Sequence, residues 1–435
     1  RRGRVATVFE SLLNAFRAPD IRRRILFVLG ILIVYRLLAQ IPLPGVDRQA
    51  LAQFFQSQSA FQIIDLFAGG GLSQLSIVGL AMNPYINASI IMQLMTGVVP
   101  SLQALSREGE YGRQRLNQYT RYLTVPMALL QSFGILSAFN AQNILAPSGG
   151  FGLGNPASWV QMVTLTAGAV LLMWLGELIT EKGIGNGISF IIFAGIVSRA
   201  PAGLVNLLSQ PSPRDILLFI VIALVAVAVI VYIQEGQRRI PIQYASRVRG
   251  RRMYQGGQTF LPLRVNLAGV IPIIFAISIL QFPAQIAAYF SFSTVQGIRD
   301  VAQWIAGFLS SQSIQYALMY FLLTVGFTYF YTAFTFKPDE TAEQLRKNGG
   351  FIPGIRPGRP TQDYLARVVT RITFAGALFL GTVAVLPVLA GVLDSSLQGL
   401  AIGGTGLLIV VSVVVETMKQ IEAQLMMRNY EGFIR

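Results

Sequence analysis

Ten stretches of this chain are too long and too apolar to be surface elements of a water-soluble domain: 25–41, 75–100, 122–139, 159–179, 188–208, 216–233, 265–290, 314–336, 372–393 and 400–415. Each approaches or exceeds the roughly 20 residues that a helix needs to cross a hydrocarbon core of ~30 Å. Backbone placed in hydrocarbon must satisfy its own hydrogen bonds, so stretches of this kind become helices. Only 12% of the residues are charged and 53% are hydrophobic, against about 25% charged in an ordinary globular domain. The expected fold class is an all-α polytopic membrane protein of ten transmembrane helices.

The cationic residues orient it. With the N-terminus in the cytoplasm, 29 of the 34 Lys and Arg fall on the cytoplasmic side, and Arg36, Arg48, Arg199, Arg214 and Arg299 make up the remainder. The whole formal net charge of +15 then lies inside, and the Lys and Arg excess there follows the positive-inside rule. Both termini are expected in the cytoplasm. The run after Arg22, Arg23 and Arg24 imitates a signal peptide, but no small-residue cleavage site follows before Pro42, so it reads as a retained first span. The chain begins at Arg1 rather than Met, and the natural N-terminus is expected upstream of it.

Ten spans divide into five and five at a junction near Gln210 to Arg214, giving an N-terminal half over 1–210 and a C-terminal half over 211–435. Five is odd, so two halves of similar fold would face opposite ways, as pseudo-symmetric inverted repeats. No residue-level repeat accompanies this count.

The second span begins abnormally. Residues 61–68 form a short amphipathic piece containing Asp65, and Gly69, Gly70 and Gly71 detach it from the apolar run over 75–100. Irregular backbone at membrane depth is tolerated only where protein buries it or where it lines a water-filled cavity. A broken span therefore predicts a cavity.

Two cytoplasmic loops, 234–264 and 337–371, are long and basic. The first carries Arg238, Arg239, Arg247, Arg249, Arg251, Arg252 and Arg264 against Glu235. Its alternation at Ile240, Ile242 and Tyr244 before Gly250 predicts a hairpin. The second opens with a helix whose acids come first and whose bases come last, then holds Arg356 and Arg359 between Pro-Gly pairs. Topology and anionic headgroups explain much of such charge. They do not explain the length of the loops or the preference for Arg, which suits contacts to phosphate and carboxylate. An acidic or nucleic-acid-containing partner is expected there.

The chain has 0 Cys and 0 His, which removes thiolate and imidazole chemistry together. It has no Walker, HExxH or GxSxG pattern, and the glycines of 182–187 follow a membrane helix, where they predict a tight turn. None of the ten spans has Asp, Glu or Lys near its middle, and Arg199 in 188–208 is the one Arg there, whereas coupled transporters usually place ionisable groups, such as the carboxylates of proton relays, at that depth. An ion-coupled secondary transporter with broken helices is the alternative reading, and a membrane enzyme is weaker still. No catalytic residue, metal site or cofactor is expected.

The segments GLAMNPYINASIIMQL, MWLGELITEKGIGNGISFIIFAGIV, LPLRVNLAGVIPIIFAISIL, FKPDETAEQLRKNGGFIPGIRPGRPTQ and GGTGLLIVVSVVVE occur in that order. They resemble successive signatures of the SecY family, the protein-conducting channels of bacterial membranes, over essentially the whole chain. The resemblance implies a two-halved clamshell with an hourglass pore in the bacterial inner membrane, stabilised by SecE and accompanied by SecG. It implies a pore ring of Ile86, Ile90, Ile188, Ile192, Ile274 and Ile409, with the choice among Val270, Ile271 and Ile274 in the seventh span left open. It maps a plug onto 61–73, including Phe61, Ile64, Phe67, Gly69, Gly70 and Gly71. A lateral gate, with Asn87 and Gln93 facing Asn266 and Gln281, would release membrane segments sideways. Arg238, Arg239, Arg251, Arg252, Arg356 and Arg359 would dock the motor ATPase SecA or ribosomal RNA. Signal peptides, nascent chains and membrane lipids complete the implied partners.

Overall fold

The computed structural model describes residues 18–57, 65, 70–145, 149–152, 154–209, 213–244, 247–249, 252–254, 257–290, 295–309, 313–393 and 398–431. Its first part holds the helices α1 (Pro19–Gln40), α2 (Arg48–Ser57), α3 (Asn83–Val98), α4 (Pro100–Ser106), α5 (Glu110–Ala141), α6 (Pro156–Lys182), α7 (Gly187–Ser209) and α8 (Pro213–Glu235). Strands β1 (Gln237–Tyr244), β2 (Arg247–Arg249), β3 (Arg252–Tyr254) and β4 (Gln258–Arg264) come next. Then come α9 (Ile271–Phe290), α10 (Gln296–Phe308), α11 (Ile314–Thr335), α12 (Pro338–Lys347), β5 (Gly350–Phe351), α13 (Arg359–Leu393) and α14 (Gln398–Glu431).

Every expected span holds a helix, and local chemistry sets many of the ends. Asn155 caps α6 by accepting from the Ala157 N–H at 3.0 Å, with Pro156 in the first turn. Ser313 caps α11 in the same way through the Tyr316 N–H. Among the described residues four helices are long and apolar enough to cross a membrane alone, and α3 with α4, bent by 102°, makes a fifth if the pair is one span. The tight turn expected over 182–187 is present: a side chain on Gly187 would collide with the Gly176 carbonyl, so glycine lets α7 start hard against α6.

The second span departs from expectation. Its helix starts at Asn83, not Leu75, and residues 70–82 form a succession of turns. Pro84 sits in the first turn of α3, where its missing N–H costs nothing. Leu75 and Ala81 hold left-handed φ angles of 42° and 49°, a conformation costing L-residues roughly 1–2 kcal/mol each. Packing and pairing sustain it. The Leu43 N–H donates to the Leu75 carbonyl at 2.8 Å, and the Ile77 N–H donates to Ile41 at 3.0 Å, so the chain leaving α1 supplies the missing partners. A side chain at Gly168 of α6 would strike the Ile77 carbonyl, and glycine there lets this backbone pass. Leu72, Leu75, Leu80 and Ala81 are buried in a cluster with Leu51, Phe54 and Phe55 of α2, Phe139 of α5 and Leu165 of α6. Phe54 meets Phe139 edge-on at 5.4 Å.

The seventh span shows a smaller correction. Its helix begins at Ile271 rather than at 265, with Pro272 in its first turn and Pro283 inside. Asn266 consequently stands in the turn before the helix.

Helix contacts define the assembly. α3, α5, α6 and α7 pack in sequence, with α1 against α6 and α7; α9, α11, α13 and α14 pack in sequence, with α8 against α14. The two groups touch along two seams, α9 against α3 and α5, and α7 against α14. The hairpin expected in the first basic loop is present as β1 paired antiparallel with β4, and the second loop adds β5 beside β1 through Gln243–Phe351 and Tyr244–Gly350. Ile240, Leu263, Ala342, Ile352 and Leu365 form the small core beneath this sheet.

Candidate functional site

Ile86 and Ile90 come from α3, Ile192 from α7, Ile274 from α9 and Ile409 from α14, and all five are buried within one apolar cluster. Ile188 is half-buried and packs against the same cluster. Four helices, two from each side of the seams, thus contribute these side chains to a single apolar cluster. Val270 and Ile274 are buried there, whereas Ile271 is half-buried against it. β-Branched side chains are stiff at χ1, and none of these carries a polar atom that could hold water.

Phe61, Ile64, Phe67 and Gly69 lie outside the described residues. The backbone of residues 70–73 is tied down by Asp65, fully buried, whose Oδ1 accepts from the Leu72 N–H at 2.9 Å and the Ser73 N–H at 2.8 Å. The Gly70 N–H donates to the Asp65 carbonyl, and Gly70 takes a φ of 84°, which glycine adopts without penalty. The Ser76 N–H donates to the Gly71 carbonyl at 2.8 Å. Asp65 therefore clasps the backbone of Gly70, Leu72 and Ser73. The sequence places Asp65 in an amphipathic piece but does not reveal this clasp, because its partners are backbone N–H groups that no side-chain pattern announces.

Along the first seam, Asn87 is buried and Gln93 half-buried on α3, and Gln281 is half-buried on α9. Asn266 is buried, and its amide donates to the Gly269 carbonyl at 3.0 Å, a bond within its own turn. Gln93 Oε1, Asn266 Oδ1 and Gln281 Nε2 are buried without a hydrogen-bond partner. Such groups cost roughly 1–3 kcal/mol each.

On the strand-bearing face, Arg238 and Arg239 project from β1 with exposed side chains, while Ile240 and Ile242 point into the sheet's core. Arg252 lies on β3, and Arg251 falls outside the described residues. Arg356 and Arg359 are exposed, in a turn pinned by Gly354 and Gly358 at φ 80° and 102° and by a 2.9 Å bond from Thr361 Oγ1 to the Arg356 carbonyl. Because β5 pairs with β1, cations from two distant loops share one platform. On α5, the exposed Arg115 guanidinium donates to the Tyr111 hydroxyl at 3.0 Å.

Residues 76–418 match the family model for SecY. The protein translocase subunit SecY of Corynebacterium glutamicum is 44% identical over 443 residues, covering 98% of this chain and all of that protein. The fold is also that of a solved structure at 20% identity and TM-score 0.65, covering 91% of each chain, described as one whose plug domain stabilises the closed state of the SecY channel and maintains a membrane seal. A third likeness, at 17% identity and TM-score 0.60 over 91% of each chain, is to Sec61 in the canine ribosome-channel complex.

Proposed function

Because this chain belongs to the SecY family, we propose that it forms the channel through which unfolded secretory polypeptides cross the bacterial plasma membrane. Transmembrane segments leave it sideways into lipid. It is a passive conduit and not an enzyme. The observation that supports this reading is that Ile86, Ile90, Ile192, Ile274 and Ile409, from four helices, are buried in one apolar cluster, with Ile188 packed against it. An aliphatic constriction of this kind resists ions by excluding water. It deforms around a passing chain because it offers no hydrogen bonds that must first be broken.

Residues 61–73 act as the plug, held by Asp65 until a substrate displaces them. The halves 1–210 and 211–435 open like a clamshell, hinged where α7 meets α14 and parting where α9 meets α3 and α5. Asn87, Gln93, Asn266 and Gln281 border that opening, and the unpartnered amides favour separation because an entering chain or water can satisfy them. Release of an apolar segment is then driven by transfer energies of tenths of a kcal/mol per residue summed over a span. The strand-bearing platform faces the cytoplasm with both termini. There Arg238, Arg239, Arg251, Arg252, Arg356 and Arg359 engage SecA or ribosomal RNA, which supply direction. SecE clamps the bundle and SecG accompanies it.

A photo-crosslinker at Ile90 tests the reading. A secretory chain arrested in transit is expected to crosslink there. Failure to crosslink, together with accumulation of a small solute by the purified protein, would establish the coupled transporter instead.

A further inference from the structure

α10 joins α9 to α11 at the ends remote from the sheet: α9 leaves from the β4 side, and α11 returns to α12, which packs beside β5. It therefore lies on the face opposite the basic platform. Its residues divide sharply around the helix. Gln296, Arg299, Asp300 and Gln303 occupy one arc, and Ile298, Val301, Ala302, Trp304, Ile305 and Phe308 occupy the other.

Only part of the apolar arc is used by the protein. Ala302 is the one residue of α10 that is buried, and α10 packs along α9. Val301, Trp304 and Phe308 are exposed, at 59%, 68% and 38% of their full area, with the Trp304 and Phe308 rings stacked at 5.6 Å. Just beyond α10, α11 begins with Ile314, Leu318 and Leu322, spaced four apart and all exposed. That ridge belongs to a helix long and apolar enough to cross a membrane, and exposed aliphatic side chains on such a helix suit acyl chains. The free edge of α10 continues the same apolar exterior. Its two charges are of opposite sign, so charge attraction to anionic headgroups plays no part.

We propose that α10 is an interfacial anchor. Its Val301, Trp304 and Phe308 edge is immersed just beneath the headgroups of the leaflet opposite the platform, and its polar arc faces water. Tryptophan suits this depth, with an apolar body and a polar N–H. Through its packing on α9, the anchor fixes the remote end of the helix that lines the seam with α3 and α5. The membrane placement stands without the transport reading, and its test requires no transport.

The chain has 3 Trp, and replacing Trp159→Phe and Trp174→Phe leaves Trp304 as the sole tryptophan, excited selectively at the red edge where tyrosine does not absorb. The full chain, reconstituted in phosphatidylcholine vesicles, is titrated with lipids brominated either near the glycerol or near the chain end, and separately with aqueous iodide. Bromines near the glycerol are expected to quench Trp304 by roughly twofold or more, bromines near the chain end less, iodide little, and added anionic lipid to change nothing. Strong iodide quenching with no effect of brominated lipid would overturn the anchor in favour of a solvated helix. Silence to both quenchers would overturn it in favour of a protein cover. If the double variant does not fold, the difference between the parent chain and Trp304→Phe yields the same signal.

Discussion

Around Ile90 the important side chains are buried, apolar and drawn from four helices; around Arg356 they are exposed, cationic and carried by two loops that a sheet ties together. The centre works by what it lacks, since an aliphatic body without hydrogen bonds can part and close again. The platform works by what it fixes: strands and paired glycines hold guanidinium groups at set positions. A change of packing should therefore register in the seal of the idle channel, and a change of charge in the rate of driven transport. A substitution of either kind should move one of these readouts and leave the other.

The largest effect is expected at Asp65. Asp65→Ala leaves the Leu72 and Ser73 N–H groups without their acceptor, at roughly 1–3 kcal/mol for each group that remains buried. Conductance of the idle channel in a planar bilayer should rise by about tenfold or more, since each 1.4 kcal/mol shifts an equilibrium by about ten. Asp65→Asn, which retains an acceptor oxygen, should leak less. An Asp65→Ala channel as tight as the parent would show that the clasp does not hold the seal.

Arg356→Glu should come next, on the other side of the comparison. Its turn is held by Gly354, Gly358 and the Thr361 hydroxyl through backbone, so reversing an exposed side chain should leave thermal stability unchanged. Motor- or ribosome-driven translocation should fall about tenfold through lost complementarity with an acidic partner, with idle conductance unaltered. A fall in folded protein, rather than in rate, would remove Arg356 from the docking surface.

The two regions are also unequally legible in the sequence. α6 and α11 can be read directly, because long apolar runs leave the backbone no choice but helix. The stretch from Leu75 to Met82 is equally apolar yet not helical, since composition does not distinguish a buried turn from a buried helix; Pro84 is the available sign of where α3 starts. Ile298, Val301, Trp304 and Phe308 spell an amphipathic helix that span counting passes over. The tie between Tyr244 and Gly350 has no local signature, because it joins segments more than a hundred residues apart. The central isoleucines are named by resemblance; their spacing alone does not separate a pore wall from ordinary core.

The smallest expected effect lies where the two regions meet. Lys419 of α14 reaches Glu235 at the end of α8 with a 2.7 Å ion pair, and its Nζ approaches the Gln234 carbonyl at 3.4 Å. Beside it the Gln234 amide donates to Ser412 at 2.6 Å. Glu235 stands two residues before β1, so this cation is placed to join the bundle to the platform rather than to meet a partner. The Glu235 side chain is 54% exposed, and solvent screening holds the pair to about 0–1 kcal/mol. Lys419→Met should therefore lower thermal stability slightly, and added salt should shrink the difference from the parent. Translocation should stay within about twofold, because the Gln234–Ser412 bond still ties α8 to α14. A tenfold loss of translocation at unchanged stability would mean that Lys419 is read by the partner, and the docking surface would then extend from the loops onto the bundle itself.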